Sequence, residues 1–185
     1  MTQLYEIVAF GVAPVSLSDM KDYLKVTGTA QDALIQSMIT AATEWGEKYT
    51  GREFRANQWK LSIDCFEPRI EVRKSPVATI DEVAHFVSGV PVVVDSSVYY
   101  LKKGNFSSET LLSDGQDWPV DTDEREQAIT IDFTTEQYKC GDLIEAGIKQ
   151  HVAHWFYNRG DCSCDSAAND SGVKSIYSLF KLPRT

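Results

Sequence analysis

The amino-acid sequence predicts an α+β protein, in which a body of three helices carries an inserted antiparallel β lobe and an extended C-terminal tail. Three observations lead to this prediction. Apolar residues recur at helical spacing within residues 1–57 and again within residues 135–160. Over residues 58–134 the apolar period changes to two, and β-branched and aromatic residues are frequent. Small polar residues dominate the start of residues 161–185, as expected for a linker that leads into a tail.

These four segments are expected to form a single domain. The chain has 185 residues, of which 43% are apolar. This is enough for one ordinary hydrophobic core but short for two independent cores. We therefore expect the two helical segments to build one body, with residues 58–134 inserted between them.

Two helices are predicted near the start of the chain. Ser16 is a plausible N-cap, because Asp19 lies three residues on, in the position of a capping partner. The second helix is longer and ends at Gly51, which is a typical stop signal. Its predicted core-facing stripe is formed by Leu34, Met38, Ala41, Ala42, Trp45 and Tyr49. Together the two helices would form an αα-hairpin.

The β lobe is predicted from strict alternation of apolar and polar residues. Trp59, Leu61 and Ile63 alternate with polar residues at the start of the lobe, and clean alternation returns over residues 127–133. Residues 105–126 contain seven acidic residues against one basic residue, Arg125. We expect a solvated loop there, anchored by Trp118.

A third helix is predicted after Gly141, with Asp142 as its N-cap and an apolar face that includes Ile148 and Val152. The tail that follows, residues 171–185, is basic and apolar and contains no acidic residue. Its apolar residues at helical spacing allow two alternatives. The segment either folds back on its own helices or docks into a groove of a partner.

Charge and composition exclude several classes of function. The chain contains 18 basic and 27 acidic residues, so that its formal charge of −9 offers no general attraction to nucleic acid or anionic lipid. No apolar run approaches the roughly 18 residues that a membrane span requires, and the N-terminus does not resemble a secretory signal. We therefore expect a protein made in the cytoplasm, with reduced thiols at Cys65, Cys140, Cys162 and Cys164.

The sequence contains no recognisable catalytic constellation, phosphate-binding loop or cofactor motif. We therefore predict no catalytic residue, cofactor or metal site. One alternative is a metal-dependent or cysteine-dependent enzyme built on His151, His154, Cys162 and Cys164. The spacing of these residues matches no standard zinc site, and no role is assigned to the two last cysteines. Another alternative, disfavoured by the charge, is a single-stranded DNA binder that uses Trp59, Trp118 and Trp155.

Several stretches between residues 14 and 159 together resemble the phage head-tail connector family, also called the adaptor or head-completion family. No single motif is as specific as a nucleotide-binding loop, so the resemblance depends on the order and spacing of all of them. The stretches are PVSL at residues 14–17, YLKV at 23–26, EKYTGR at 47–52, GQDWP at 115–119 and VAHWFYNR at 152–159.

The resemblance implies a structural protein of the virion, located in the neck between head and tail. Such a subunit would form a ring, commonly of twelve copies, beneath the portal protein. The ring would continue the DNA channel and recruit the next component, a stopper or tail-terminator protein. The resemblance also implies that the C-terminal segment contacts the portal, through Ile176, Tyr177, Leu179, Phe180, Lys181 and Arg184.

Simple electrostatics gives these expectations a mechanism. An acidic channel would repel the DNA backbone and let DNA pass without specific binding, while a basic, apolar tail would suit an acidic partner surface. The alternative within the same class is another neck component, such as a stopper-like or tail-completion protein.

Overall fold

The computed structural model describes residues 3–104, 107–138, 141–158 and 172–182. The chain divides into two compact units. The β unit comprises residues 1–11 and 55–137, and the helical unit comprises residues 12–54 and 138–185. The predicted α+β class is confirmed, since helices and antiparallel sheets are both present. Among the described residues, no helix combines the length and the apolarity needed to cross a membrane.

Four helices form the described part of the helical unit: α1 (Leu17–Leu24), α2 (Asp32–Thr50), α3 (Gly141–Tyr157) and α4 (Val173–Ser178). The predicted cap of α1 is confirmed, because the Ser16 hydroxyl accepts a hydrogen bond from the Asp19 backbone N–H at 3.1 Å. An ion pair between Lys21 and Asp32, at 2.6 Å, links α1 to the start of α2. The predicted stop of α2 is confirmed at Gly51, which adopts the left-handed conformation with φ 76°.

The buried stripe of α2 differs from the predicted one by about one residue. Leu34 is exposed, whereas the neighbouring Ile35 and Ile39 are fully buried. The buried face of the helix continues through Ala42, Thr43, Gly46 and Thr50. The prediction left out Ile35 and Ile39. It also counted only apolar side chains, whereas this face uses Thr43, Gly46 and Thr50, which are small and allow other side chains to approach the helix closely.

Two glycines make room for the rings at the centre of the helical unit. A Cβ atom added at Gly46 of α2 would lie 2.5 Å from the Phe54 ring and 3.2 Å from the Tyr177 ring. At Gly147 of α3 the added atom would lie 2.7 Å from Tyr177. Phe54 and Tyr177 are both fully buried, and their ring centroids are 5.6 Å apart. The aromatic core therefore requires a residue without a side chain at both helix positions.

His151 of α3 belongs to the same core. Its ring lies 4.0 Å from the Trp155 ring and 5.0 Å from the Trp45 ring, measured between centroids. Burial lowers the pKa of His151 to about 4, and the neighbouring His154 contributes in the same direction. The imidazole is therefore neutral near pH 7 and acts as an aromatic core residue.

The described part of the β unit contains eight strands in two antiparallel sheets. The strands are β1 (Leu4–Ala9), β2 (Gln58–Ile63), β3 (Arg69–Val72), β4 (Val77–Val87), β5 (Val90–Val93), β6 (Tyr99–Lys102), β7 (Ser108–Leu112) and β8 (Ile129–Thr135). Five strands form one sheet in the order β1-β2-β8-β4-β5. The other sheet has the order β3-β7-β6. The predicted alternation is confirmed at Leu61, Ile63, Ile129, Ile131 and Phe133, which are all fully buried.

Strand β1 was not predicted, because residues 1–57 were assigned to the helical body. The structure pairs β1 with β2, placing Tyr5 opposite Leu61 and Ile7 opposite Trp59. Tyr5 and Ile7 are half-buried, while Leu4 and Val8 are exposed. With apolar residues on both faces, the strand lacks the apolar and polar alternation from which a half-buried strand is recognised.

The predicted acidic loop is anchored by Trp118, as expected, but its residues 108–112 form strand β7 instead of a loop. The Trp118 ring stacks on the Phe66 ring with a centroid distance of 4.5 Å, and it also stacks on Tyr99 at 6.2 Å. Its indole N–H donates a hydrogen bond to the Glu67 carbonyl at 2.9 Å. This aromatic stack orders a loop whose remaining residues are mostly polar.

We expect Gly46→Ala to lower the free energy of unfolding of the helical unit by about 1–3 kcal/mol, because the added methyl group overpacks the rings of Phe54 and Tyr177. Helix propensity alone favours alanine over glycine by about 1 kcal/mol, so a loss of stability identifies the steric contact. Urea denaturation followed by circular dichroism measures the change, with Thr40→Ala on the exposed face of α2 as the control. A Gly46→Ala variant as stable as the wild type would contradict this packing.

Protonation of His151 is expected to destabilise the fold in mild acid. Because its pKa is about 4 in the folded state and about 6.5 in the unfolded state, the unfolded chain binds the extra proton between these values. Stability should therefore fall as the pH falls from 6.5 towards 4, by roughly 1–2 kcal/mol between pH 7 and pH 5.

Urea denaturation at a series of pH values measures this effect. His151→Phe, which keeps a ring between the two tryptophans, should remove most of the pH dependence in this range. His154→Gln should retain it. An unchanged slope in the His151→Phe variant would refute the assignment.

Candidate functional site

The C-terminal tail, which was predicted as the contact for a partner, is folded onto the helical unit over its described residues 172–182. Helix α4 buries Val173 and Tyr177 completely in the helical core. These two side chains are four residues apart and therefore lie on one face of the helix. The prediction of an extended tail is corrected for these residues, and of the two alternatives the chain by itself adopts the fold-back.

Polar contacts hold the end of the tail against the end of α2. The Leu182 backbone N–H donates to the Thr50 carbonyl at 2.8 Å. The Arg52 Nε atom donates to the Phe180 carbonyl at 2.8 Å. The ammonium group of Lys181 lies 4.7 Å from the centroid of the Tyr49 ring. The segment YTGR at residues 49–52 therefore forms a seat for residues 180–182.

Arg52 and Tyr138 were not predicted as part of this site. The Arg52 guanidinium carbon lies 4.3 Å from the centroid of the Tyr138 ring, and the Tyr138 ring meets the Phe180 ring edge-on at 6.0 Å. Arg52 stands inside the family-like stretch EKYTGR, which was interpreted only as a helix end. Nothing in the local sequence around Tyr138 indicates its position, because the contact joins residues far apart in the chain.

The six predicted tail residues occupy different environments. Tyr177 is fully buried, and burial raises the pKa of its hydroxyl. Ile176 and Phe180 are half-buried against the helical core. Leu179 is 72% exposed, and Lys181 is also exposed. Arg184 lies outside the described residues. We call Leu179 and Lys181 the tail surface, because they are the predicted residues that a partner can reach in this conformation.

The residues of the alternative metal site are not brought together among the described residues. His151 is buried between two tryptophans, and the His154 Nδ1 atom lies 3.3 Å from the amide nitrogen of Asn158. No group of three or more histidine, cysteine or acidic side chains in the described ranges is arranged to hold a metal ion. Cys140, Cys162 and Cys164 lie outside those ranges, and Cys65 is an exposed free thiol.

The three tryptophans considered for single-stranded DNA binding do not form one surface within either unit. Trp59 and Trp118 belong to the β unit, where the first packs under Lys74 at 3.7 Å and the second stacks on Phe66. Trp155 belongs to the helical unit and packs against His151. Each ring is used in packing within its own unit.

Part of the sequence matches a known protein family. Residues 14–85 match the family of phage gp6-like head-tail connector proteins. This range includes three of the stretches that carry the resemblance, PVSL, YLKV and EKYTGR. No curated protein matches the sequence significantly.

Solved structures with the same fold come from gene transfer agent (GTA) particles. A chain from the neck of an empty GTA particle with C6 symmetry has a TM-score of 0.77 and 18% identity, over 98% of this chain and 97% of its own. A chain from the virion of the native particle gives 0.75 and 17%, with the same coverage. A chain from the native neck with C12 symmetry gives 0.72 and 17%, over 97% of both chains.

These matches agree with the sequence-based prediction in two independent ways. The family match is in sequence and covers α1, α2, β2, β3 and most of β4. The structural matches extend the likeness in fold to both units. The predicted resemblance is confirmed by the family match: over residues 14–85, this chain is similar to the phage gp6-like head-tail connector proteins.

Proposed function

We propose that this chain is a structural protein of the neck of a phage or phage-like particle, where it acts as the adaptor beneath the portal protein. The observation that carries the proposal is the likeness in fold, over 98% of the chain, to a chain from a GTA particle neck. The family match over residues 14–85 supports the same class of protein. A structural role also fits the candidate site, because the tail is held on the helical unit by packing and hydrogen bonds.

The adaptor would work as a ring, with twelve copies as the proposed number. The C12 and C6 symmetry of the necks that hold similar chains supports this number, since both symmetries are compatible with a twelve-membered ring. Copies in such a ring use heterologous contacts, in which one surface of each subunit meets a different surface of the next. The ring would continue the DNA channel and present a surface for a stopper or tail-terminator protein.

The charge distribution suits passage of DNA without specific binding. The β unit contains 16 acidic and eight basic residues, whereas the helical unit contains 11 acidic and ten basic residues. Nearly all of the net negative charge therefore belongs to the β unit. A ring of such subunits would repel the DNA backbone and keep DNA from adhering to the channel.

The tail surface is the proposed contact with the portal. Leu179 offers apolar area and Lys181 offers positive charge, so the matching portal surface would be apolar and acidic. Tyr177 would hold the tail in place through the helical core, and Ile176 and Phe180 would support it from beneath. We include Arg184 because it extends the same basic segment. An already folded tail loses less conformational entropy on docking than a disordered one.

Electron microscopy of the particle that contains this chain tests the adaptor role directly. We expect density for a twelve-membered ring of this chain immediately beneath the portal, which fits both units. A location further from the head, in contact with tail components alone, would favour a stopper-like or tail-completion protein. Absence of the chain from the neck would refute the neck assignment altogether.

The tail contact is tested with surface substitutions that leave the helical core intact. Leu179→Asp should weaken binding to purified portal by about tenfold or more, because burying one leucine side chain is worth about 1.5–3 kcal/mol. Lys181→Glu should weaken binding by a similar factor, because it places a negative charge against the proposed acidic surface of the portal. Ser175→Asp, which adds a charge to an exposed position of α4, is the matched control and should bind like wild type.

Surface plasmon resonance with immobilised portal measures the affinity, and thermal unfolding checks that all three variants remain folded. Wild-type affinity in both Leu179→Asp and Lys181→Glu would show that the tail surface does not contact the portal.

A further inference from the structure

Two stacked rings connect the core of the helical unit to the tail surface. The Tyr49 ring lies nearly parallel to the Trp45 ring, with an angle of 8° between the planes and 5.0 Å between the centroids. The Trp45 ring also contacts two fully buried rings, those of His151 at 5.0 Å and Tyr177 at 5.8 Å. Over the Tyr49 ring lies the ammonium group of Lys181. A continuous series of ring contacts thus leads from buried residues to an exposed lysine.

The position of the Tyr49 ring is fixed by its own helix. Trp45 and Tyr49 are four residues apart on α2, so their side chains are neighbours on one face. Stacked aromatic pairs of this kind are favourable beyond the area that they bury. Because Trp45 is in turn packed against the buried core, the half-buried Tyr49 ring provides a fixed surface at the end of the helix.

The backbone of the tail places Lys181 beside this ring. The carbonyl of Phe180 accepts a hydrogen bond from Arg52, and the N–H of Leu182 donates one to the Thr50 carbonyl, both at 2.8 Å. The residues directly before and after Lys181 are therefore both bonded to the seat. The negative face of an aromatic ring attracts a cation, which favours the observed position of the ammonium group.

The charge of Lys181 stays available to a partner. The residue is exposed, and within the described ranges it makes no ion pair with an acidic side chain. A lysine ammonium has three N–H donors, and the ring below it does not occupy all of them. A free lysine loses much side-chain freedom when a partner binds it, whereas a lysine already held on a ring loses less.

We propose that Tyr49 is a positioning residue of the tail surface. Its ring holds the Lys181 ammonium in the place where an acidic group of the portal binds it, and the ring stays beneath the ammonium in the complex. The proposal rests on the portal contact described under the proposed function, and it names a residue that determines how strongly that contact forms. Tyr49 acts through Lys181 and needs no contact of its own with the portal.

A double-mutant cycle in the full-length chain tests this role, with binding to immobilised portal measured by surface plasmon resonance. Tyr49→Leu should weaken binding by about two- to tenfold, because Lys181 must then be ordered during binding. In a chain that already carries Lys181→Met, Tyr49→Leu should have no further effect. A role of Tyr49 in stability alone would weaken binding equally in both backgrounds.

Two further variants serve as controls. Tyr49→Phe keeps the ring and should bind like wild type. Tyr23→Leu removes a tyrosine of α1 that is 48% exposed, and it should also bind like wild type. Thermal unfolding checks that every variant remains folded.

Nuclear magnetic resonance of the chain alone tests the geometry without the portal. The ring current of Tyr49 should move the signals of the methylene protons next to the Lys181 ammonium upfield of those of the other lysines. Tyr49→Leu should remove this shift, and Tyr49→Phe should keep it. Ordinary shifts for Lys181 in the wild type would overturn the proposal.

The binding outcomes separate this proposal from the portal contact on which it rests. An equal loss in both backgrounds, or tighter binding by Tyr49→Leu, would overturn the positioning role and leave the portal contact intact. Tighter binding would mean that the ring withholds Lys181 from its partner. Wild-type affinity in Lys181→Met would also overturn the positioning role, and the portal contact fails with it only if Leu179→Asp binds like wild type as well.

Discussion

The packing of Tyr177 into the helical unit controls how most of that unit is arranged. Its ring is fully buried against Phe54 and occupies space that opens only because positions 46 and 147 are glycines. The contact involves α2, α3 and α4 together, so a short terminal helix supplies a central part of the core. Because α4 is anchored in this way, residues 180–182 are positioned on the end of α2, where Arg52 and Thr50 hold them. The tail surface exists as a defined surface only as long as this core contact is made.

A different arrangement orders the β unit. Its two antiparallel sheets share a core of β-branched and aromatic residues, and the long acidic loop is fastened to that core by the Trp118 stack. The charge that gives the chain its acidity is concentrated in this unit, and it is carried by residues outside the hydrophobic core. The residues that pack the core of the β unit are therefore different from those that give the unit its negative charge. The helical unit supplies a nearly neutral support for the tail, and the β unit supplies the charged surface.

The sequence predicts those features that depend on neighbouring residues. The cap at Ser16, the stop at Gly51, the alternating strands and the Trp118 anchor all follow from local patterns, and all are present in the structure. Features that depend on distant residues were missed. The buried stripe of α2 includes Gly46, whose importance depends on the distant Tyr177 ring, and β1 is recognisable only by its pairing with β2. The tail was identified by its charge, but its local pattern could not decide between folding back and docking. The tail folds back because residues 180–182 bind the seat at residues 49–52, which lies far away in the sequence.

The division of the chain between the two units also determines the order in which the protein can fold during synthesis. Residues 55–137 complete the β unit as soon as they emerge, since their partner β1 has already been made. Helices α1 and α2 have also been made, but their core lacks Tyr177 until more than 100 further residues have been added. The first helices must wait, with an open apolar surface, while an entire β unit folds between them and their final partner. The helical core can therefore be completed only after the whole β unit has been made, and the tail surface cannot form before that point.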